Sequence, residues 1–275
     1  DIGIFTNFSH DHLDYHKNLK DYLNSKLYLF KKLLKKKGNI VTDSSIPEFN
    51  KIKKISKEKN FKLNIISNNK KNLGLRIIKH DFSGESQVVH LSYKKLKFKF
   101  KINLIGKVQL KNVLMAAIAA EKSGINISKV FNSLYYLKPI DGRLEKVGQI
   151  KNNSKVILDY AHTPDALKIV LQNLRQQFPN KKILIVFGCG GDRDKKKRSL
   201  MGKIANSYCD EIYLTDDNPR NENPNLIRKE IKKGIKTKKT FEIPDRKKAI
   251  KDAIMNLRSS EILLVAGKGH ETTQT

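Results

Sequence analysis

Four short segments of the sequence combine side chains that bind charged ligands. Each follows an apolar run with the length of a strand: 159–164 (DYAHTP), 188–194 (GCGGDRD), 216–220 (DDNPR) and 267–271 (GKGHE). Plain turns do not require so many carboxylates, arginines and histidines. Because ligands of open α/β sheets bind beyond the carboxyl ends of the strands, we predict that these segments form one site.

The use of arginine supports this prediction. The chain has 56 basic residues, of which nine are arginine and 56 − 9 = 47 are lysine. Arg143, Arg193 and Arg220 all fall in these segments or at a predicted domain join over residues 138–144. A planar guanidinium can grip a carboxylate or phosphate with two parallel hydrogen bonds, which lysine cannot do. We therefore interpret these arginines as ligand-binding residues.

A second cluster of polar residues lies near the N-terminus, at 10–16 (HDHLDYH). Imidazoles and carboxylates at this spacing can bind a divalent cation. Capping of a helix that begins near Asn18 is the structural alternative. Lys26 lies on that helix, one turn from Tyr22 and Phe30. In the glycine-rich segment, Cys189 indicates a tight turn rather than a nucleophile, because no neighbouring pattern would activate its thiol.

Composition excludes several classes of protein. The 275 residues carry a net charge of +29 and 39% hydrophobic residues, enough for a packed core in two domains. The longest apolar run, 113–120, is far shorter than the roughly 20 residues of a membrane-spanning helix. Two cysteines exclude a disulfide scaffold and favour the cytoplasm. The lysines are spread along the chain without interleaved aromatics, so compositional drift is favoured over nucleic-acid binding.

Hydrophobic periodicity predicts the elements that position these residues. Helices are predicted at 18–37 and 109–123, the second with Gly124 at its C′ position, and short antiparallel strands within 61–105. A regular alternation of strands and helices begins at Lys155. Its strands are predicted at 155–159, 182–187, 212–215, 240–243 and 262–266, and its helices at 164 onwards, 198–208, 225–236 and 246–257. This order is typical of an α/β fold with a doubly wound parallel sheet.

Seven motifs in this order resemble those of the Mur ligases. They are 6–16 (TNFSHDHLDYH), Ser25-Lys26, 142–145 (GRLE), 159–167 (DYAHTPDAL), 187–194 (FGCGGDRD), 215–220 (TDDNPR) and 266–271 (AGKGHE). Together they cover nearly the whole chain, with the weakest match at about 40–100.

The resemblance implies a fold and a domain organisation. Residues 1–139 would be the later part of a central ATP-binding domain, and residues 140–275 a Rossmann-like C-terminal ligase domain with a mainly parallel sheet. An N-terminal UDP-binding domain and a phosphate-binding loop are expected upstream, and the end of the last domain downstream. The isolated chain is therefore expected to be inactive, and a monomer is expected.

The resemblance also implies an activity in peptidoglycan precursor synthesis. In such ligases ATP, with Mg²⁺, phosphorylates a substrate carboxylate, and the amine of an amino acid attacks the acyl phosphate. The motifs imply UDP-MurNAc-L-Ala-D-Glu as the acceptor and meso-diaminopimelate as the added amino acid. His12 would bind Mg²⁺, and Lys26, as a carbamate, would help to position it.

Further site residues are carried over from the family's motifs. For meso-diaminopimelate they are Arg193, Asp217, Asn218, Pro219, Arg220, Gly267 and Glu271, and for ATP they are His162, Thr163 and Asp216. Arg220 would grip the second carboxylate of diaminopimelate, and Glu271 would pair with its distal ammonium group.

Three alternatives remain open at this point. A lysine-adding ligase has the same fold, although Arg220 argues against it because lysine has no second carboxylate. A folylpolyglutamate-type synthetase has a related architecture and a different substrate. A basic nucleic-acid-binding protein would show steep salt dependence of binding.

Overall fold

The computed structural model describes residues 1–9, 15–68, 74–150 and 153–268. The chain divides into two compact units, Asp1–Lys138 and Pro139–Thr275. Each unit is built on a sheet of six strands.

The sheet of the first unit is parallel on one side and antiparallel on the other. Its strands, in spatial and chain order, are β1 (Ile2–Phe5), β2 (Asn39–Asp43), β3 (Lys62–Ser67), β4 (Leu75–Ser83), β5 (Ser86–Tyr93) and β6 (Leu96–Ile102). β1 to β4 pair in parallel, and β4, β5 and β6 form an antiparallel meander. The strands predicted within 61–105 are confirmed. The predicted antiparallel pairing is wrong for β3, which pairs in parallel with β4 as well as with β2. A helix between β2 and β3 returns the chain in the same direction.

The helices of the first unit cover this sheet. They are α1 (Leu19–Tyr28), α2 (Phe49–Glu58), α3 (Lys107–Lys122) and α4 (Ile127–Ser133). Asn18 caps α1 by accepting the backbone N–H of Asp21 at 2.9 Å. The helix predicted to reach residue 37 becomes a π-helical turn over Leu29–Leu33 and ends there. Three consecutive lysines follow, and Lys37 takes a φ of 62° to turn the chain into β2. Gly124 follows α3 at φ 100°, as predicted for a C′ glycine.

The second unit has the doubly wound parallel arrangement predicted from the sequence. Its strands are β7 (Glu145–Gln149), β8 (Lys155–Asp159), β9 (Ile183–Phe187), β10 (Glu211–Leu214), β11 (Lys239–Glu242) and β12 (Ile262–Ala266). Their order is β11-β10-β9-β12-β8-β7, and only the β7–β8 pair is antiparallel. All residues of β9 and β12 are buried, which places these strands at the centre of the unit.

Four helices connect the strands of the second sheet. They are α5 (Pro164–Gln177), α6 (Lys196–Tyr208), α7 (Pro224–Lys232) and α8 (Arg246–Met255). Ala249 and Ala253 of α8 pack on one face, against Leu184, Val186 and Leu263. The edge strand β7 was not predicted, because its residues are partly or fully exposed and lack a run of large apolar side chains.

Glycine permits a close contact between α6 and α7. A Cβ atom built on Gly202 would lie 2.1 Å from the carbonyl oxygen of Ile231. That oxygen belongs to the backbone of α7 and cannot move without the helix.

Overpacking usually costs about 1–3 kcal/mol, and the gain in helix propensity from glycine to alanine offsets about 1 kcal/mol of it. We therefore expect Gly202→Ala to lower the free energy of unfolding by up to about 2 kcal/mol. Denaturant unfolding of the chain measures the change. Gly148→Ala in β7 is the matched control, because a Cβ there meets nothing within 4 Å. Equal stability of the two variants would contradict the prediction.

Candidate functional site

Two loops meet at the carboxyl edge of the second sheet. We call residues 188–194 the glycine loop and residues 216–222 the arginine loop. They follow the neighbouring parallel strands β9 and β10. The backbone N–H of Gly191 donates to the carbonyl oxygen of Asn218 at 2.9 Å. A Cβ atom added to Gly188 would lie 2.3 Å from the carbonyl oxygen of Thr215. A Cβ atom added to Gly191 would lie 1.9 Å from the carbonyl oxygen of Pro219. Only glycine therefore allows these two backbones to approach.

Arg220 is held against the glycine loop. Its Nη1 donates to the carbonyl oxygen of Gly191 at 2.7 Å and, more weakly, to that of Asn218 at 3.4 Å. A Cβ at Gly190 would come within 2.8 Å of the same nitrogen. Within the described residues, both hydrogen bonds of Arg220 leave from Nη1. Nε and Nη2 of this exposed guanidinium are thus available to a ligand.

The central strand β12 brings a third segment to the same edge. Gly267 takes a φ of 102°, and a Cβ there would lie 3.3 Å from Oδ2 of Asp217. Lys268, only 8% exposed, donates to Oδ1 of Asn218 at 3.1 Å. The structure therefore gathers Asp217, Asn218, Arg220 and Gly267, as the sequence predicted. Pro219 lies within the same loop, and Arg193 is an exposed residue of the glycine loop.

Lys268 lies within the predicted segment 267–271, but the sequence did not single it out as a site residue. It stands among 47 lysines, and nothing in its residue type distinguishes it. Its position offers the one available signal, since it directly follows Gly267 at the end of a fully buried strand.

The segment after β8 is anchored by a buried carboxylate. Asp159 is 6% exposed and accepts the backbone N–H groups of Leu144 and Ala161, both at 2.8 Å. Burial raises the pKa of Asp159, although these two hydrogen bonds oppose the shift. The guanidinium of Arg143 lies 4.7 Å from the ring centroid of Tyr160. Asp159 thus fastens the 142–145 segment to the sheet.

The three residues predicted to bind ATP all have partners within the fold. Nδ1 of His162 donates to the Tyr160 carbonyl oxygen at 3.0 Å. Thr163 caps α5 by accepting the N–H of Ala166 at 3.3 Å. Asp216 forms an ion pair with the buried Arg228. These contacts explain the residues structurally, and their contact with ATP stays a prediction.

Lys26 lies on an aromatic cluster in the first unit. Its Nζ is 5.0 Å from the ring centroid of Tyr22. The Tyr22 ring stacks on His16 at 5.0 Å and packs against Phe8 at 5.2 Å. The half-buried Lys26 is therefore placed by its own helix and by these rings. The other residue predicted to bind the metal ion, His12, lies outside the described residues, as does Glu271.

Within the described ranges, no group of three or more His, Cys, Asp or Glu side chains is arranged to hold a metal ion. Because residues 10–14 are outside these ranges, the Mg²⁺ site stays a prediction. No described helix has the length and apolarity needed to cross a membrane.

Cys189 is a buried residue of the glycine loop, in agreement with its interpretation as a turn residue. Burial raises the pKa of its thiol to about 12. The thiol therefore remains protonated and unreactive at neutral pH.

Family models now account for both units. The Mur ligase middle domain matches residues 1–120, and the Mur ligase glutamate ligase domain matches residues 142–269. The chain belongs to the Mur ligase family.

Several relatives of the chain carry the name of a 2,6-diaminopimelate ligase. The chain is 42% identical over 274 residues to the UDP-N-acetylmuramoyl-L-alanyl-D-glutamate–2,6-diaminopimelate ligase of Rickettsia bellii, covering 99% of this chain and 56% of that protein. A solved structure of a ligase with this name is 32% identical, with a TM-score of 0.67, and is matched over 100% of this chain and 56% of its own. The chain thus spans about half the length of the relatives it matches.

A second solved structure shares only the fold with this chain. The folylpolyglutamate synthase of Mycobacterium tuberculosis, solved with ADP and AMPPCP, is 16% identical with a TM-score of 0.75. The match covers 97% of this chain and 61% of that protein.

We expect Thr163→Ala to lower the free energy of unfolding by about 1 kcal/mol, because an N-cap hydrogen bond is lost. Thr163→Ser keeps the acceptor oxygen and should restore most of this loss. Chemical denaturation of the chain without nucleotide measures both variants. If Thr163→Ala is as stable as the native chain, the capping bond contributes nothing and the structural account of Thr163 fails.

Proposed function

We propose that this chain provides the middle and C-terminal domains of an ATP-dependent ligase that acts in the cytoplasm. The ligase adds meso-diaminopimelate to UDP-MurNAc-L-Ala-D-Glu through an acyl phosphate. Its product is a precursor of peptidoglycan. The 42% identity to a diaminopimelate ligase supports this proposal.

One observation carries the choice of amino acid. Arg220 is fixed through Nη1 to the Gly191 carbonyl oxygen, while Nε and Nη2 form no hydrogen bond to any described residue. Two such N–H groups in one plane match the two oxygens of a carboxylate. Arg220 is therefore suited to bind the second carboxylate of diaminopimelate, the group that lysine lacks.

The other loop residues would orient the same ligand. The Asp217 carboxylate lies close to Gly267, where a Cβ atom would be 3.3 Å from Oδ2, and Oδ1 of Asn218 accepts a hydrogen bond from Lys268 at 3.1 Å. Arg193, from the exposed part of the glycine loop, offers a second guanidinium. Glu271 would pair with the distal ammonium group. Orientation of the attacking amine by such contacts raises the rate, because reactants held in place lose less entropy in the transition state.

ATP and Mg²⁺ belong to this proposal as co-substrate and cofactor. Together they would activate the substrate carboxylate as an acyl phosphate and neutralise the phosphate charge. His12 and Lys26, as a carbamate, would hold Mg²⁺, since an imidazole nitrogen and a carboxylate-like oxygen are both metal ligands. The half-buried side chain of Lys26 lies over the Tyr22 ring, which holds its amine in place for this role. His162, Thr163 and Asp216 would lie near the nucleotide.

The alternatives are less well supported. In a lysine-adding ligase, the free N–H groups of Arg220 would have no second carboxylate to bind, because lysine has only its α-carboxylate. A folylpolyglutamate synthase shares the fold at 16% identity, which shows no substrate. A nucleic-acid-binding role has no support beyond the net charge of +29, which equally attracts anionic nucleotides.

Ligation by the complete protein that contains this chain tests the proposal. The assay supplies UDP-MurNAc-L-Ala-D-Glu, ATP and Mg²⁺ with either meso-diaminopimelate or L-lysine, and follows phosphate release and product mass. We expect turnover with diaminopimelate only. Turnover with lysine would keep the family and overturn the specificity, and no turnover by a folded protein would overturn the activity.

We expect Arg220→Ala to lower kcat/KM for diaminopimelate by the equivalent of about 2–5 kcal/mol, the usual cost of removing one partner of a charged pair. Arg220→Lys should recover only part of this loss, because an ammonium group cannot bind a carboxylate in the same planar manner. Steady-state kinetics with each substrate varied in turn measures the effect. The KM values for ATP and for the UDP-linked substrate serve as internal controls. Unchanged diaminopimelate kinetics would refute the role of Arg220.

A further inference from the structure

Arg198 is a buried arginine that neither the sequence motifs nor the proposed reaction uses. It lies in the first turn of α6 and is 1% exposed. Removal of a guanidinium from water is costly unless carboxylates and other acceptors surround it. Its neighbours therefore show what this arginine does in the fold.

The guanidinium of Arg198 is bound by two glutamates. Glu222 accepts in a bidentate manner, from Nη2 at 2.7 Å and from Nη1 at 3.0 Å. Glu230 of α7 accepts from Nη1 at 2.8 Å. The carbonyl oxygen of Gly190 lies 3.4 Å from Nη2. Arg198 thus touches the glycine loop, the arginine loop and α7 with a single planar group.

Glu222 continues this connection between the loops. Its Oε1 also accepts the backbone N–H of Asp192 at 2.6 Å. In return, the Asp192 carboxylate accepts the backbone and side-chain N–H groups of Asn221, at 3.2 and 2.9 Å. The bidentate bond of Arg198 lowers the pKa of Glu222 to about 2. Glu222 therefore stays ionised throughout the neutral range.

Both loops hold residues in an unfavourable backbone conformation. Asp192 and Arg220 each have a φ of 51°, in the left-handed region that favours glycine. Such residues persist only where their surroundings determine the conformation. Here Glu222 follows Arg220 by two residues and binds the N–H of Asp192 itself. The Arg198–Glu222 pair thus connects both strained positions, beside the bonds of Asn221 to Asp192 and of Arg220 to Gly191.

We infer that Arg198, paired with Glu222, is a positioning residue that sets the specificity for the amino-acid substrate. It fixes the distance between the glycine loop, which carries Arg193, and the arginine loop, which carries Arg220. This inference rests on the proposed function, since it assigns the two loops to diaminopimelate binding. Arg198 itself does not touch the substrate.

The pair acts by arranging the binding groups before the ligand arrives. A loop that is already ordered loses less conformational entropy on binding. Without Arg198, Glu222 would keep only the exposed Lys195, 3.4 Å away, and the backbone N–H of Asp192 as partners. Arg220 would then lose its fixed place on the Gly191 carbonyl. The loss should fall on diaminopimelate, because only this ligand uses the carboxylate contact of Arg220.

The test compares Arg198→Lys, Arg198→Met and Glu222→Gln in the complete protein that contains this chain. Arg198→Lys keeps the positive charge but loses the planar guanidinium that binds Glu222 in a bidentate manner. Glu222→Gln keeps the shape of the side chain but loses its charge. We expect each variant to raise KM for diaminopimelate by roughly 10- to 100-fold, the scale of a binding group displaced by about 1 Å. The KM values for ATP and the UDP-linked substrate should not change, and Arg198→Lys should be the mildest variant of Arg198.

Arg175→Lys is the matched control. Arg175 binds the Asp210 carboxylate at 2.7 Å and the carbonyl oxygens of Tyr208 and Lys181, both at 2.8 Å. These contacts lie at the amino ends of β9 and β10, away from the two loops. We expect Arg175→Lys to lower thermal stability and to leave KM for diaminopimelate unchanged.

The outcomes separate the inference from the function on which it rests. A native protein that does not use diaminopimelate would overturn the proposed function and the inference together. A native protein that does, with variants of lower stability but unchanged KM for diaminopimelate, would overturn the inference alone. An equal rise of all three KM values would also overturn it, because it would indicate general damage. If Arg198→Met does not fold, the other two variants decide the question.

Discussion

The close approach of two loop backbones at the carboxyl edge of the second sheet is the contact on which the site depends. At Gly188 and Gly191 even a methyl group would overlap a carbonyl oxygen of the facing segment. Because these backbones touch, the Gly191 carbonyl can accept a hydrogen bond from Arg220. The parallel pairing of β9 with β10 brings the two loops together, and the insertion of β12 beside β9 adds Gly267 and Lys268. The fold thus brings together residues that lie up to 80 positions apart in the chain.

Among the described residues, the buried basic side chains are mostly arginine, although lysine is far more frequent in the sequence. Arg198, Arg228 and Arg246 are each less than 10% exposed, whereas Lys268 is the one lysine of the described residues in that class. A guanidinium can satisfy several acceptors from one buried position, because its five donors lie in a plane. Lysine serves at the surface, where its charge is hydrated. Arg228 illustrates the pattern by joining Asp216, Asn225 and Glu242 across α7 and β11.

Sequence reasoning located the elements that have a strong local signal. β8 and β12 were predicted to the residue, because each is a short apolar run with polar boundaries. The N-cap of α5 was predicted from Thr163 followed by Pro164, which is a purely local signature. β7 was not predicted, because an edge strand needs no continuous apolar run. The π-helical turn after α1 depends on how the chain must enter β2, which no local pattern shows.

The residues of the candidate site also differ in whether the local sequence could predict them. Asp217, Asn218, Arg220 and Gly267 were identified because they follow strands and match a motif. Arg198 was not, because the run Lys195-Lys196-Lys197-Arg198 indicates a solvated helix end, and its acceptors lie 24 and 32 residues further along the chain. What distinguishes Arg198 from its lysine neighbours is burial, which appears only when α6 packs against the arginine loop and α7.

Two arginines therefore have complementary roles in the second unit. Arg220 is exposed, uses one nitrogen to hold its place and leaves the others for a ligand. Arg198 is buried and has its terminal nitrogens bonded to acceptors within the protein. A binding arginine on a loop is selective only if the loop holds its position, since a mobile guanidinium binds any anion within reach. The ion pair beneath the loops supplies that constraint, and this explains why a charged pair, rather than an apolar contact, lies under a site built from glycines.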